Sequence, residues 1–231
     1  PLPFVYAGFS ESSHYNHAKA YGLSGENGTC ATIETLKTFA YDTDSCDNRF
    51  EESFYAGFLL DFNGDTIRLD NGDALIYLPW NVGLDISFQP YEKTAGARMK
   101  KYEVDRKGLK DGKLSDNDIV LFRYADVLLM KSEAKVRNGE NGDVELNEVR
   151  RRSGMPERSA TLENILEERK LELVWEGWRR QDMVRFGIFT KAYTDRPQLP
   201  MEEETGYTTV FPIPLKVISL NSKLKQNPYY E

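Results

Sequence analysis

Two cysteines and two histidines are all that the 231 residues contain, and that scarcity narrows the chemistry at once. Cys30 and Cys46 either form one disulfide in an oxidising compartment or stay as two buried thiols, since their spacing does not decide. His14 and His17 stand in a single His-x-x-His segment with no third ligand at a recognised zinc spacing. A Ser-His-Asp or Cys-His site would have to draw on those same two histidines. Gly-x-Ser-x-Gly, phosphate-loop and dinucleotide fingerprints are missing too. No metal and no cofactor are expected.

Long apolar runs are also missing, and nothing approaches the roughly twenty residues that a membrane-crossing helix needs. Basic excess is lacking: 30 Lys and Arg stand against 37 Asp and Glu, a net charge of -7. Too little positive charge remains to neutralise a phosphate backbone, so a nucleic-acid partner is not expected. The chain opens on Pro1-Leu2-Pro3 without a basic leader, an apolar signal core or a Cys that could take a lipid. It is therefore expected to be a fragment or processed piece. Two acidic runs, Asp42/Asp44/Asp47 and Asp61/Asn63/Asp65, fail the calcium-loop template. Cys46, Asp47 and Ser53 occupy wrong positions in the first, and Thr66 stands where the second needs Gly. Both, like the segment of His14 and His17, are expected to be surface loops.

Turn chemistry organises what is present in the first half. Asn27-Gly28, Asn63-Gly64 and Asn71-Gly72 are dipeptides that favour tight turns. Between the last two, Thr66 to Asp70 alternates as a short strand would, and Ala74 to Leu78 is a second strand that Pro79 ends. Residues 1–112 are expected to be irregular, with a small β-ribbon.

From Leu114 the pattern turns helical. Ser115, Asp116 and Asp118 offer caps for a helix over about 119–137 with the apolar stripe Leu121, Ala125, Leu128, Leu129, Ser132, Val136. Asn138-Gly139 stops it. A second helix over about 143–153 ends at Gly154, and together they match one tetratricopeptide repeat in size, without a convincing second copy. Thr161 caps a third helix over about 162–176, with Leu162, Ile165, Leu166, Arg169 and Leu173 facing inward. Gly177 separates it from a short helix over about 178–186, which Gly187 closes. Pro197, Pro200, Pro212 and Pro214 predict an extended remainder that wraps over the helices.

Glu168, Glu172 and Glu176 recur at i,i+4, so one stripe carries three like charges and needs cations. Arg123, Arg150 to Arg152, Arg179, Arg180 and Arg185 are the supply. A glycosidase would set two carboxylates across a cleft and raise one pKa, whereas Arg pairing lowers it. The stripe is read as structural.

Short signatures follow one another in order. They are Arg123-Tyr124-Ala125-Asp126, Leu146-Asn147-Glu148-Val149-Arg150, the run Glu168 to Gly177, the run Arg180 to Gly187, Phe211-Pro212-Ile213-Pro214 and the closing Gln226-Asn227-Pro228-Tyr229-Tyr230. Asp47-Asn48-Arg49-Phe50 and Gly96 to Tyr102 are weaker members of the series. Over about residues 43–231 the chain resembles the C-terminal half of the SusD/RagB family, with Tyr229 where the family usually has Gly. The resemblance implies a mainly α fold, SusD-like with tetratricopeptide-type helix pairs, plus a small β-ribbon and long irregular loops. One region would span 1–231: a loop and ribbon-rich part (1–112), a helical part (113–190) and an extended C-terminal wrap (191–231).

The resemblance also implies a function. Such a protein sits on the outer membrane, at the cell surface of a Bacteroidota-type Gram-negative bacterium, held by an N-terminal lipid anchor absent from this stretch. It binds oligosaccharide without catalysis and delivers it to a SusC-like TonB-dependent transporter. Three other readings remain: peptide capture, as on the RagB side of the family; a helical-repeat scaffold for protein docking without its own ligand; and a glycoside hydrolase using Glu168 to Glu176.

The family's ligand contacts vary between members, so the site is sought in the residues themselves. Tyr77, Trp80, Phe88 and Tyr91 cluster within fifteen positions, among Asn81, Asp85 and Gln89. Flat apolar rings flanked by amides and carboxylates suit the apolar faces and hydroxyls of sugars. These four are the candidate glycan-binding residues. The competing reading makes them the core of the ribbon. Trp175 and Trp178 lie within signatures and are expected to be structural.

Overall fold

A computed structural model describes residues 8–83, 93–105, 107–108, 110–111, 114–115, 117–118, 120–193 and 196–230. In chain order the helices are α1 (residues 8–12), α2 (Tyr15–Ala20), α3 (Ile33–Thr38), α4 (Arg49–Ser53), α5 (Tyr124–Arg137), α6 (Asp143–Arg152), α7 (Leu162–Glu172), α8 (Arg179–Arg185), α9 (Glu202–Thr205) and α10 (Leu215–Leu220). Two-residue strands pair antiparallel: β1 (Phe54–Tyr55) with β4 (Arg98–Met99), β2 (Gly57–Phe58) with β3 (Ile76–Tyr77), and β5 (Lys110–Asp111) with β6 (Leu114–Ser115). The fold is mainly helical with small β-pairs, as expected. It divides into two compact units, Pro1–Arg179 and Arg180–Glu231.

The ribbon forms where the Asn-Gly turns place it. Bridges Leu60↔Thr66 and Arg68↔Ala74 extend the β2–β3 pair into a meander. Its turns close at Gly64, whose N–H donates to Asp61 O at 3.1 Å, and at Gly72, whose N–H donates to Leu69 O at 2.9 Å. Period-2 alternation sends Leu59, Ile67, Leu75 and Tyr77 to a buried face. Phe58, Leu60 and Leu78 remain exposed. The rest of 8–112 is less irregular than expected, because α1 to α4 lie there. Helices of five or six residues complete less than two turns, too short for hydrophobic periodicity to register. Side chains cap two of them: Thr32 Oγ1 accepts from Thr35 N–H, and His14 Nδ1 accepts from Asn16 N–H.

In the helical part, α5, α6 and α7 bury Leu128, Leu129, Leu146, Val149 and Ile165 together, with Ala125 and Val136 at the margin. Thr161 caps α7 as expected, through Asn164 N–H at 3.1 Å. Two boundaries differ. Helix α5 starts at Tyr124 and not near 119, and its N-cap, Arg123, makes no side-chain capping bond. Arg123 has the extended backbone usual at an N-cap, and its guanidinium is committed to Glu172 and Glu176. Leu121 therefore lies outside the stripe and is exposed. Helix α7 stops at Glu172, so Glu176 is not on the same helical stripe. Trp175 beyond it takes a left-handed φ of 66°, donates its indole N–H to Ser53 O at 3.2 Å and packs on the Phe39/Phe50/Phe54 core.

The three glutamates nevertheless converge on cations. Arg49 contacts Glu168 at 2.7 Å, Glu172 at 2.9 Å and Asp47 at 2.7 Å. Arg150 meets Glu168 at 2.6 Å, Arg152 meets Glu172 at 2.7 Å, and Arg123 meets Glu172 at 2.5 Å and Glu176 at 2.8 Å. Lys101 reaches Glu176 at 2.5 Å. Of the expected cations, Arg151 pairs elsewhere, with Glu157, and Arg179 donates to Leu166 O.

Arg180 and Arg185 act within the smaller unit. Arg185 meets Asp182, and Arg180 lies over Phe189 and Phe211 while donating to the Thr208 and Thr209 carbonyls. That unit is not wholly extended, since α9, α10 and a 3-10 turn at Tyr207–Thr209 interrupt it. Pro214 directly precedes α10, a place where its missing N–H costs nothing. The closing signature is a clasp. Gln226 exchanges two hydrogen bonds with the Ile213 backbone, and Asn227 donates to Phe211 O. Tyr229 stands at φ 68°, a left-handed conformation that accounts for Gly being usual there in the family.

Removing one partner from a buried ion cluster leaves the others uncompensated. Arg49→Met is expected to destabilise the larger unit by about 3–5 kcal/mol in urea unfolding. Coupling it with Glu168→Met should cost clearly less than the sum of the two single changes. Strict additivity would show that Arg49 and Glu168 do not interact.

Candidate functional site

Tyr77 turns inward on β3 and is fully buried, so it is a core residue and offers no surface to a ligand. Its hydroxyl accepts the His14 N–H at 2.8 Å and lies 3.1 Å from His17 Nδ1. The Arg98 guanidinium sits over its ring, 5.1 Å from the centroid. Around it, the His17 ring meets Phe9, Tyr21 and Tyr55 edge-on at 4.6–5.0 Å. Burial, then the charges of His14 and Arg98, pushes the His17 pKa down to about 3. The His-x-x-His segment, expected as a surface loop, is instead a core fastening, because the Tyr77 hydroxyl draws in the His14 N–H and the His17 ring and both histidines are buried.

Trp80 is placed differently. Leu78 N–H donates to Thr94 O and Leu78 O accepts from Gly96 N–H, at 3.0 and 2.9 Å, and Asn81 N–H donates back to Leu78 O at 3.1 Å. Pro79 and Trp80 are the central residues of that turn, with Pro at its preferred second position. The indole is left 44% exposed. Its ring partner is Tyr41, 5.9 Å away at 47°, which lies in turn 4.4 Å from buried Phe50. Two left-handed residues flank Tyr41, Ala40 at φ 49° and Asp42 at φ 65°. Backbone strain of this kind persists only where the surroundings impose it. Phe88 and Tyr91 lie outside the described residues.

Sequence reasoning missed Tyr41, because ring proximity across thirty-nine residues leaves no periodic trace. The one available signal was a tyrosine just past the end of a short helix, ahead of the Asp42/Asp44 turn.

A half-exposed indole backed by a phenol can stack against an apolar ring face. Other arrangements are less suited to chemistry. Among the described residues no group of three His, Cys, Asp or Glu is placed to hold a metal ion. Asp61 spends its carboxylate on the Asn63 and Asp65 N–H groups of its own turn, at 2.8 and 2.9 Å. Cys30 and Cys46 are free thiols, both raised in pKa chiefly by burial. Burial alone would raise the Glu172 carboxyl, but Arg123, Arg49 and Arg152 bring it below its usual range. A general acid needs the opposite shift.

A family model described as the SusD family matches residues 8–230. The chain belongs to the SusD family. Among its relatives, the starch-binding protein SusD of Bacteroides thetaiotaomicron is 32% identical over 140 residues, covering 58% of this chain and 25% of that protein. A laminarin-binding SusD-like protein of known structure is similar at 25% identity and a TM-score of 0.60, over 90% of this chain and 39% of the other. Surface glycan-binding protein A of Bacteroides thetaiotaomicron, solved with laminarihexaose, shares the fold at 21% identity and a TM-score of 0.64, covering 99% and 46%. The chain thus spans between a quarter and a half of the length of these relatives.

SusD-family signature residues and the aromatic corner are in contact, through Phe50 and Tyr41, but differ in role. Arg49, Lys101, Arg123, Arg150 and the glutamates form the ion cluster. Trp80 and Tyr41 belong to no signature.

His17 gives the pH behaviour of the core around Tyr77. Its folded pKa lies below the unfolded value of about 6.5, so the unfolded chain takes up the proton first as pH falls. The stabilisation is complete above pH 6.5 and fades toward pH 3, by at most about 1.4 kcal/mol per unit. Urea unfolding at pH 7 and pH 5 should show that loss, and His17→Leu should shrink it by about 2 kcal/mol. An identical pH dependence in the variant would refute the assignment.

Proposed function

We propose that this chain forms part of a non-catalytic, cell-surface glycan-binding protein, and that Trp80 with Tyr41 is the surface on which sugar rings stack. Membership of the SusD family and the glycan ligands named for its relatives support the class. The observation that carries the site is the exposed, turn-mounted indole held against Tyr41. Of the four aromatics singled out in the sequence, Trp80 is the one with described, accessible ring surface. Phe88 and Tyr91 stay as proposed contributors. The protein would pass oligosaccharide to a SusC-like TonB-dependent transporter at the outer membrane.

A second reading, partner docking, has its own observation. Phe122, just before α5, and Tyr124, Val127 and Met130 on it leave their apolar side chains exposed, the kind of surface another protein covers.

Titration of the chain with starch and laminarin oligosaccharides, read by intrinsic fluorescence, tests the site. Trp80→Ala should weaken binding about tenfold or more, the loss of roughly 1.4 kcal/mol expected for one stacked aromatic. Full affinity in that variant would exclude the corner as the site.

A further inference from the structure

We propose that the Trp80–Tyr41 corner discriminates by charge, admitting neutral glycans and rejecting anionic ones. The inference rests on the glycan-binding reading above and adds the ligand's chemical class. Tyr41 is followed by Asp42 and Asp44, both exposed. Asp42 is close enough that its charge, after burial, raises the Tyr41 phenol. Helix α4 adds exposed Glu51 and Glu52, and the Glu51 charge acts on Cys46, which packs on the same core cluster as Tyr41.

One cation reaches this rim on the α4 side, where Lys100 Nζ donates to the Glu51 carbonyl at 2.7 Å; the Asp42 and Asp44 side is less well supplied. Between Tyr41 and Ser53 the one basic residue is Arg49, buried and committed to Asp47, Glu168 and Glu172. Lys37, on the preceding helix, stands 3.9 Å from Glu34.

With the Tyr41 and Trp80 rings 5.9 Å apart, a sugar stacked on the indole lies within about one screening length of Asp42 at 0.1 M salt. A uronate or sulfate there meets like charge, whereas a neutral hexose meets only apolar ring and hydrogen-bonding groups. Like-charge juxtaposition is how an interface rejects the wrong partner.

The test compares a glucohexaose with the same hexaose oxidised to glucuronate at C6, so that ring shape is held constant. At about 0.02 M salt the neutral ligand should bind about tenfold more tightly, and the gap should narrow several-fold at about 0.5 M. Asp42→Asn with Asp44→Asn should strengthen binding of the oxidised ligand several-fold and leave the neutral one unchanged. Trp80-dependent binding of both ligands with equal affinity, or a gap that salt and the Asn substitutions do not move, overturns the charge selection alone. Failure of the neutral ligand to bind through Trp80 overturns the glycan site and this inference together.

Discussion

The guanidinium of Arg49 joins the two parts of the larger unit. Its partners Glu168 and Glu172 lie 119 and 123 residues downstream, while Asp47 belongs to its own turn. Three carboxylates around one buried cation satisfy its donors. That matters because a desolvated charge with an unfilled donor costs more than the cluster gains in net stability. The cluster therefore acts mainly by making other arrangements of α4 against α7 expensive. From there the constraint propagates. Helix α4 runs into β1, β1 pairs with β4, and two residues past β4 Lys101 returns to Glu176 in the same cluster.

The aromatic corner hangs on this frame. Phe50 follows Arg49 and packs against Tyr41, and Tyr41 backs Trp80. On the other side, the Gly96 N–H holds Leu78 O at the root of the Trp80 turn. Gly96 has no room for a side chain, since a Cβ would come within 2.5 Å of Cys30. The weaker signatures at Asp47 to Phe50 and Gly96 to Tyr102 thus anchor the two segments that carry the rings.

What the sequence reveals depends on how far its physics reaches. Helices α5 to α7 are legible because Leu128, Leu129, Leu146 and Ile165 recur at helical spacing over two turns or more. The ribbon is legible because Asn-Gly turns bracket an alternating segment. Arg123 could be paired with the glutamates from charge balance alone, whereas Arg49 and Lys101 could not, because nothing local marks a partner a hundred residues away. The end of α7 was misjudged for a similar reason. Leu173 to Glu176 has good helical propensity, but the Trp175 indole finds Ser53 O and a core pocket by turning left-handed. Tyr77 and Trp80 show the limit most directly. Both are aromatic and three residues apart, yet strand alternation buries one and a proline turn exposes the other.

This division of labour allows ligand preference to change without disturbing the fold. Arg49 is buried and bonded on every side, so altering it exposes or strands several charges. Among the described residues Trp80 makes one ring contact, and nearly half its surface is in water, so altering it removes little buried area. The same holds for Asp42 and Asp44, whose carboxylates stand in solvent. Substitutions that tune stacking or local charge therefore act on binding with small effects on stability. Those within the signatures act on stability first. The signatures describe a scaffold, and the chemistry that distinguishes one ligand from another lies on the turns that the scaffold holds.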